Sequence, residues 1–193
     1  VLRVELDRDH VETTSRAGAI GIIGLGKMGG NIARRLISKK WSVVGFNKTP
    51  DETKELVSEG IDGAYSLREF VEKLSKPRIV WLMVPHQTVD EVLVELISLL
   101  EKGDTIIDGG NSPYRESIRR GKELESKGID FLDIGVSGGP GGARTGACMM
   151  AGGKIESYKK LEATGFFNDA CVQNGWGYMG TSGAGHFVKM VHN

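Results

Sequence analysis

Ala19-Ile-Gly-Ile-Ile-Gly-Leu-Gly-Lys-Met-Gly29 joins a short apolar run, Ile20 to Ile23, to the glycine pattern Gly24-x-Gly26-x-x-Gly29. The run predicts a buried strand. Asn31-Ile-Ala-Arg-Arg-Leu-Ile37 follows with helical spacing, with Met28, Ile32 and Leu36 on one side. A turn this tight needs Gly24, Gly26 lets a pyrophosphate approach the backbone, and Gly29 lets helix and strand pack closely. The N–H groups of the helix start, around Lys27 and Met28, then face phosphate with the helix dipole behind them. Such a pattern alone often marks only a turn. Here strand and helix flank it on both sides, which predicts a dinucleotide site.

The composition suits that reading. Apolar residues make up 39% and charged residues 26% of 193, as in an ordinary globular protein with one substantial core. Acids and bases balance at 25 each, so nothing argues for nucleic acid or a membrane surface as partner. The longest apolar run, Ile79 to Pro85, is too short to span a bilayer. Cys148 and Cys171 are expected as reduced thiols in a cytoplasmic protein. The 28 glycines cluster at loop positions, where backbone has to come close to something. Residues 1–18 fit the fold poorly: Val1 to Leu6 alternates like a strand, Asp7 to Gly18 is unpatterned, and the stretch is expected to be an extension or cloning remnant.

Along the chain, strands alternate with helices. Trp41 to Phe46 reads as the second strand, and Asn47-Lys48-Thr49 at its end lies where this fold meets the adenosine ribose. No acid occupies the triplet, and its donors and positive charge suit a 2′-phosphate; the same triplet before Pro50 also reads as a solvated turn. Thr49-Pro-Asp-Glu opens a helix closed by Gly60, and Ser66-Leu-Arg-Glu opens another by a capping box. Ile79 to Val84 is continuously apolar, as in a parallel strand covered on both faces, and delivers Met83, Val84 and Pro85 to the sheet's carboxyl edge. A helix over Thr88 to Leu100 and a strand over Thr105 to Asp108 follow. The expected architecture is a doubly wound, mostly parallel, Rossmann-like α/β sheet with helices on both faces, spanning residues 19–180.

Asp108-Gly-Gly-Asn-Ser112 puts polar backbone at the same crevice. Asn111 can hold a carboxamide, and Ser112 is expected to cap the helix running to Lys127. After the strand Phe131 to Val136, Ser137-Gly-Gly-Pro-Gly-Gly-Ala-Arg144 reads as a loop whose N–H groups grip an oxyanion or carboxylate. Ala147 to Ala151 reads as a short strand, Lys154 to Leu161 as a helix, and Gly175 to Gly180 as glycine-broken loop. In the final helix, residues 181–193, His186, Lys189 and Asn193 share a sector of about 60°. Phe187, Val188 and Val191 can pack elsewhere. A cleft-facing, desolvated Lys189 can serve as a base.

On these motifs the chain resembles 6-phosphogluconate dehydrogenase (decarboxylating), within the β-hydroxyacid dehydrogenase superfamily. The resemblance covers residues 19–193. Its narrower marks are Asp108-Gly-Gly-Asn-Ser112 and Gly185-His-Phe-Val-Lys-Met-Val-His-Asn193. It implies that Lys189 takes the proton from the C3 hydroxyl while hydride leaves C3 for the nicotinamide. It further implies that Asn111 and Ser137-Gly138-Gly139 contact substrate or nicotinamide, and that His192 and Asn193 line the same pocket. The implied cofactor is NADP, with NAD possible because Lys48 stands where Arg is commoner. The partners implied are a small-molecule substrate and, for the full-length protein, a second copy in a homodimer, with this chain by itself expected as a monomer. Family members continue past Asn193 into a Glu that protonates the enol, a phosphate-binding Tyr and an all-helical domain. The chain is therefore expected to be the coenzyme domain, poorly active by itself. Pro140-Gly141 also replaces two acids common in the family. The rivals are dehydrogenation of another small β-hydroxyacid, against which Asp-Gly-Gly-Asn speaks, and a non-catalytic nucleotide-binding module.

Overall fold

The computed structural model describes residues 18–192. The pattern read for residues 1–17, and the roles expected of Asn193, lie outside the described residues. The elements are β1 (Ala19–Ile23), α1 (Lys27–Ser38), β2 (Ser42–Phe46), α2 (Pro50–Glu59), β3 (Asp62–Ala64), α3 (Leu67–Glu72), β4 (Ile79–Leu82), α4 (Val89–Leu99), β5 (Thr105–Asp108), α5 (Tyr114–Ser126), β6 (Asp130–Ser137), α6 (Gly139–Thr145), β7 (Ala147–Gly153), α7 (Ile155–Ala163), α8 (Phe166–Ala170), β8 (Cys171–Gly180) and α9 (Ala184–His192). One eight-stranded sheet runs in the order β3-β2-β1-β4-β5-β6-β7-β8. The first six strands in that order are mutually parallel, β7 is antiparallel to β6, and β8 is parallel to β7. This is the doubly wound arrangement, and its chain order reverses between β1 and β4.

The apolar runs are buried on both sheet faces, which is why they do not alternate with polar residues. On one face Ile20, Ile22, Trp81, Ile107, Leu132 and Ile134 pack with Phe166 and Phe167. On the other, Ile23, Val80, Leu82, Ile106 and Phe131 pack with Phe70 and Leu93. Each fully buried side chain of this size contributes about 1.5–3 kcal/mol over an exposed one. Among the described residues no helix is long and apolar enough to cross a membrane. Both cysteines are free thiols, Cys148 exposed and Cys171 buried.

Several local expectations need correction. Residues 137–144 are not a loop: Gly138 takes a left-handed φ of 116°, Pro140 sits in the first turn, and α6 follows. Residues 175–180 belong to strand β8, because Trp176 and Tyr178 alternate inward onto Phe167 and Tyr158 while glycines occupy the positions between them. The helix over Phe166–Ala170 and the short strand β3 carry no periodicity long enough to read from sequence. Ser112 does not cap α5. Its hydroxyl donates to Asp108 Oδ2 at 2.6 Å, and Pro113 occupies the cap position. Phe187, Met190 and Val191 of α9 are exposed rather than packed, although Phe187 meets the Tyr114 ring edge-on.

Candidate coenzyme and active site

Gly24 has φ 93°, a left-handed value that favours glycine. A side chain at Gly29 would overlap the Gly24 carbonyl, so the close helix–strand approach admits no side chain there. Gly26 faces open space, and α1 begins without a side-chain cap. The first-turn N–H groups of α1 have no intrahelical partner, which suits a phosphate. Asn47 ties this loop to β2: its Oδ1 accepts the Leu25 N–H at 2.9 Å.

Beside the loop lies a cavity of about 650 Å³, at the point where strand order reverses. Gly24, Gly26, Asn47, Lys48, Met83, Val84 and Pro85 line it, with α4 residues along one wall. Lys27 is exposed in the first turn of α1, and Met28 is partly buried against the core; neither lines the cavity. Thr49 also lies outside the lining, and its hydroxyl donates to Glu52. Donor chemistry, glycine backbone and cavity together fit a pyridine dinucleotide.

Further along the same carboxyl edge, Asn111 holds a left-handed φ of 58° and its Oδ1 accepts the Lys189 ammonium. Lys189 sits directly over β6, since a side chain at Gly135 would come within 2.5 Å of Lys189 Cβ. Gly135 lies two residues before Ser137, which ends β6, and Gly138–Gly139 then open α6. From β2, which Asn47 follows, to β5, which Asn111 follows, is three strand spacings, about 14 Å, so one extended ligand can reach from Asn47 to Asn111. Burial lowers the pKa of Lys189, which makes a free amine more accessible there. His186 does not share the cleft with Lys189. It is buried, its Nδ1 is 2.8 Å from the Ser117 hydroxyl, and burial lowers its pKa. His192 is exposed at the end of α9.

Two buried carboxylates that the sequence reading left without a role hold these parts in place. Asp133 caps α9 from β6, accepting Gly183 N–H at 2.7 Å and His186 N–H at 2.9 Å. Asp108 accepts the Gly110 N–H at 3.0 Å and pairs with Arg120, whose guanidinium also reaches Ser112 and Asp90. A lone acid inside an apolar strand, as in Phe131-Leu-Asp-Ile and Thr105-Ile-Ile-Asp, was the available signal. Arg120 gave none, lying in an ordinary amphipathic helix.

Arg120, and after it Arg119, hold the Asp90 carboxyl at about 2, below its usual 3.8. A depressed acid contributes stability above 3.8 that is lost as pH falls toward 2. Because Asp90 is half exposed, screening limits the gain to about 1 kcal/mol. Asp90→Asn should therefore lose about 1 kcal/mol at neutral pH and show a flatter acid limb in denaturant titrations. Identical acid limbs in both proteins would refute this assignment.

The fold, the glycine loop and the cavity define a pyridine-dinucleotide-binding domain of the dehydrogenase type. The chain belongs to the family described as the NAD binding domain of 6-phosphogluconate dehydrogenase, whose profile matches residues 19–168. YqeC of Bacillus subtilis (strain 168), whose own assignment as a 6-phosphogluconate dehydrogenase is provisional, is 49% identical over 174 residues, covering 90% of this chain and 58% of YqeC. An NAD(+)-dependent decarboxylating 6-phosphogluconate dehydrogenase of the same organism is 44% identical, with 91% of this chain matching 39% of that protein. Among solved structures, Plasmodium falciparum 6-phosphogluconate dehydrogenase, described in apo form and in complexes with NADP+ and with 6-phosphogluconate, superposes with a TM-score of 0.85 at 35% identity, over 91% of this chain and 39% of that one. The chain thus spans 39% to 58% of the length of these relatives.

Proposed function

We propose that this chain is the coenzyme-binding part of an enzyme that oxidatively decarboxylates 6-phosphogluconate to ribulose 5-phosphate, a step of the pentose phosphate pathway. The observation that carries the reading is the Lys189 ammonium on Asn111 Oδ1, one end of a carboxyl edge whose other end is a dinucleotide groove. Gly24, Gly26 and the N–H groups of the α1 start hold the pyrophosphate, and Asn47 keeps that loop in register. The bound nicotinamide supplies a hydride acceptor. Lys189, as the free amine, takes the C3 hydroxyl proton as the C3 hydrogen departs with its electron pair. The C3 carbonyl so formed accepts the electrons of the C1–C2 bond, and the carboxylate leaves as CO₂. Ser137 and the N–H groups of Gly138 and Gly139 orient the substrate carboxylate, with His192 at the end of α9 as a further substrate contact. Taken alone, this chain binds dinucleotide and turns over slowly.

The test is a substrate panel on the full-length protein, following dinucleotide reduction and CO₂ release together. Both are expected with 6-phosphogluconate. Reduction with 3-hydroxyisobutyrate and none with 6-phosphogluconate would replace this reading with that of another β-hydroxyacid enzyme.

A further inference from the structure

Glu52, in the first turn of α2, lines the cavity beside Asn47 and Lys48. Its Oε2 accepts the Thr49 hydroxyl at 2.6 Å and Asn47 Nδ2 at 3.1 Å. Asn47 is itself bonded to the Leu25 N–H, so one asparagine fixes this carboxylate relative to the glycine loop. The same bonds engage the donors of Asn47 and Thr49, which a 2′-phosphate on the adenosine ribose would otherwise use. They also lower the pKa of Glu52, with the Thr49 hydroxyl the largest cause. Glu91 and Glu95 of α4 line the same cavity, and Lys48, exposed, is the one cation among the described lining residues.

We propose that Glu52 makes the adenosine end of the groove select a free ribose 2′-hydroxyl over a 2′-phosphate, so that the chain binds NAD+ more tightly than NADP+. A carboxylate accepts a hydrogen bond from the hydroxyl. It repels a phosphomonoester, which carries about −1.5 to −2 charges at neutral pH. Lys48 attracts that phosphate, but as a hydrated point charge on a flexible stem it offers no bidentate fork to offset a fixed acid. The inference rests on the dinucleotide reading above.

Calorimetric titration of this chain with NAD+ and NADP+ tests it, with Glu52→Gln and Glu52→Lys as variants and circular dichroism to verify folding. Wild type is expected to bind NAD+ roughly tenfold more tightly. Glu52→Gln should narrow that ratio and Glu52→Lys should reverse it. Wild-type affinity for NADP+ equal to or above that for NAD+, or a ratio that Glu52→Gln leaves unchanged, overturns the role of Glu52 and leaves the dinucleotide groove standing. If neither dinucleotide binds the folded chain, this inference and the proposed function fall together.

Discussion

Lys189→Met in the full-length protein is expected to lower turnover with 6-phosphogluconate by about 10²–10⁴-fold, the usual worth of a positioned general base. The Kd for dinucleotide should change little, because the groove that holds it is lined by β1, β2, the segment after β4, and helices α2, α3 and α4 rather than by α9. The wild-type rate should also rise with pH toward the Lys189 pKa, which burial sets below 10.5, since only the free amine can take a proton. Lys189→Arg separates charge from basicity. A guanidinium keeps the positive charge beside Asn111 but does not deprotonate in proteins, so it should be as slow as Met. Turnover within tenfold of wild type in both variants would remove Lys189 from the chemistry and favour a nucleotide-binding role for the fold.

The second large effect is on stability. Arg120→Met should destabilise the chain by about 3–5 kcal/mol in denaturant titration, the cost of leaving a buried charge unpaired. Arg120 and Asp108 are both buried, and the guanidinium touches Asp108 Oδ2 at 3.2 Å and Ser112 Oγ at 2.8 Å. Methionine fills the stem's volume but leaves the Asp108 carboxylate with only Ser112 and Gly110 as donors. The β5–α5 turn carries Asn111, so catalysis in the full-length protein should fall as well. Replacing both partners, as in Asp108→Leu with Arg120→Met, should recover part of the stability but not the activity, because the turn would lose its anchor. A loss below about 1 kcal/mol for Arg120→Met would mean that water, rather than the arginine, compensates Asp108.

Much of the frame was legible in the chain before any coordinates. The run Ile20–Ile23 followed by spaced glycines, and later runs such as Ile79-Val-Trp-Leu, carry local signals: buried parallel strands are apolar on both faces, and a glycine at φ 93° has few substitutes. The alternation of such runs with capped helices is enough to predict a doubly wound sheet. The approach of Lys189 to the crevice agrees with helical phase, while His186 in the same sector is buried against Ser117. Phase ranks residues around an axis; it does not say which flank packs on β6 and which opens to the crevice.

What the sequence alone determined, then, is the order of the longer strands and helices, the glycine turn and the residue types at most strand ends, all consequences of short-range sterics and periodicity. Only tertiary structure decided that Glu52 lines the groove against Asn47 and Thr49, that Asp133 caps a helix fifty residues later in the chain, and that Arg120 neutralises Asp108. Those contacts join residues from separate elements, and their energies depend on burial and distance, which no local pattern encodes.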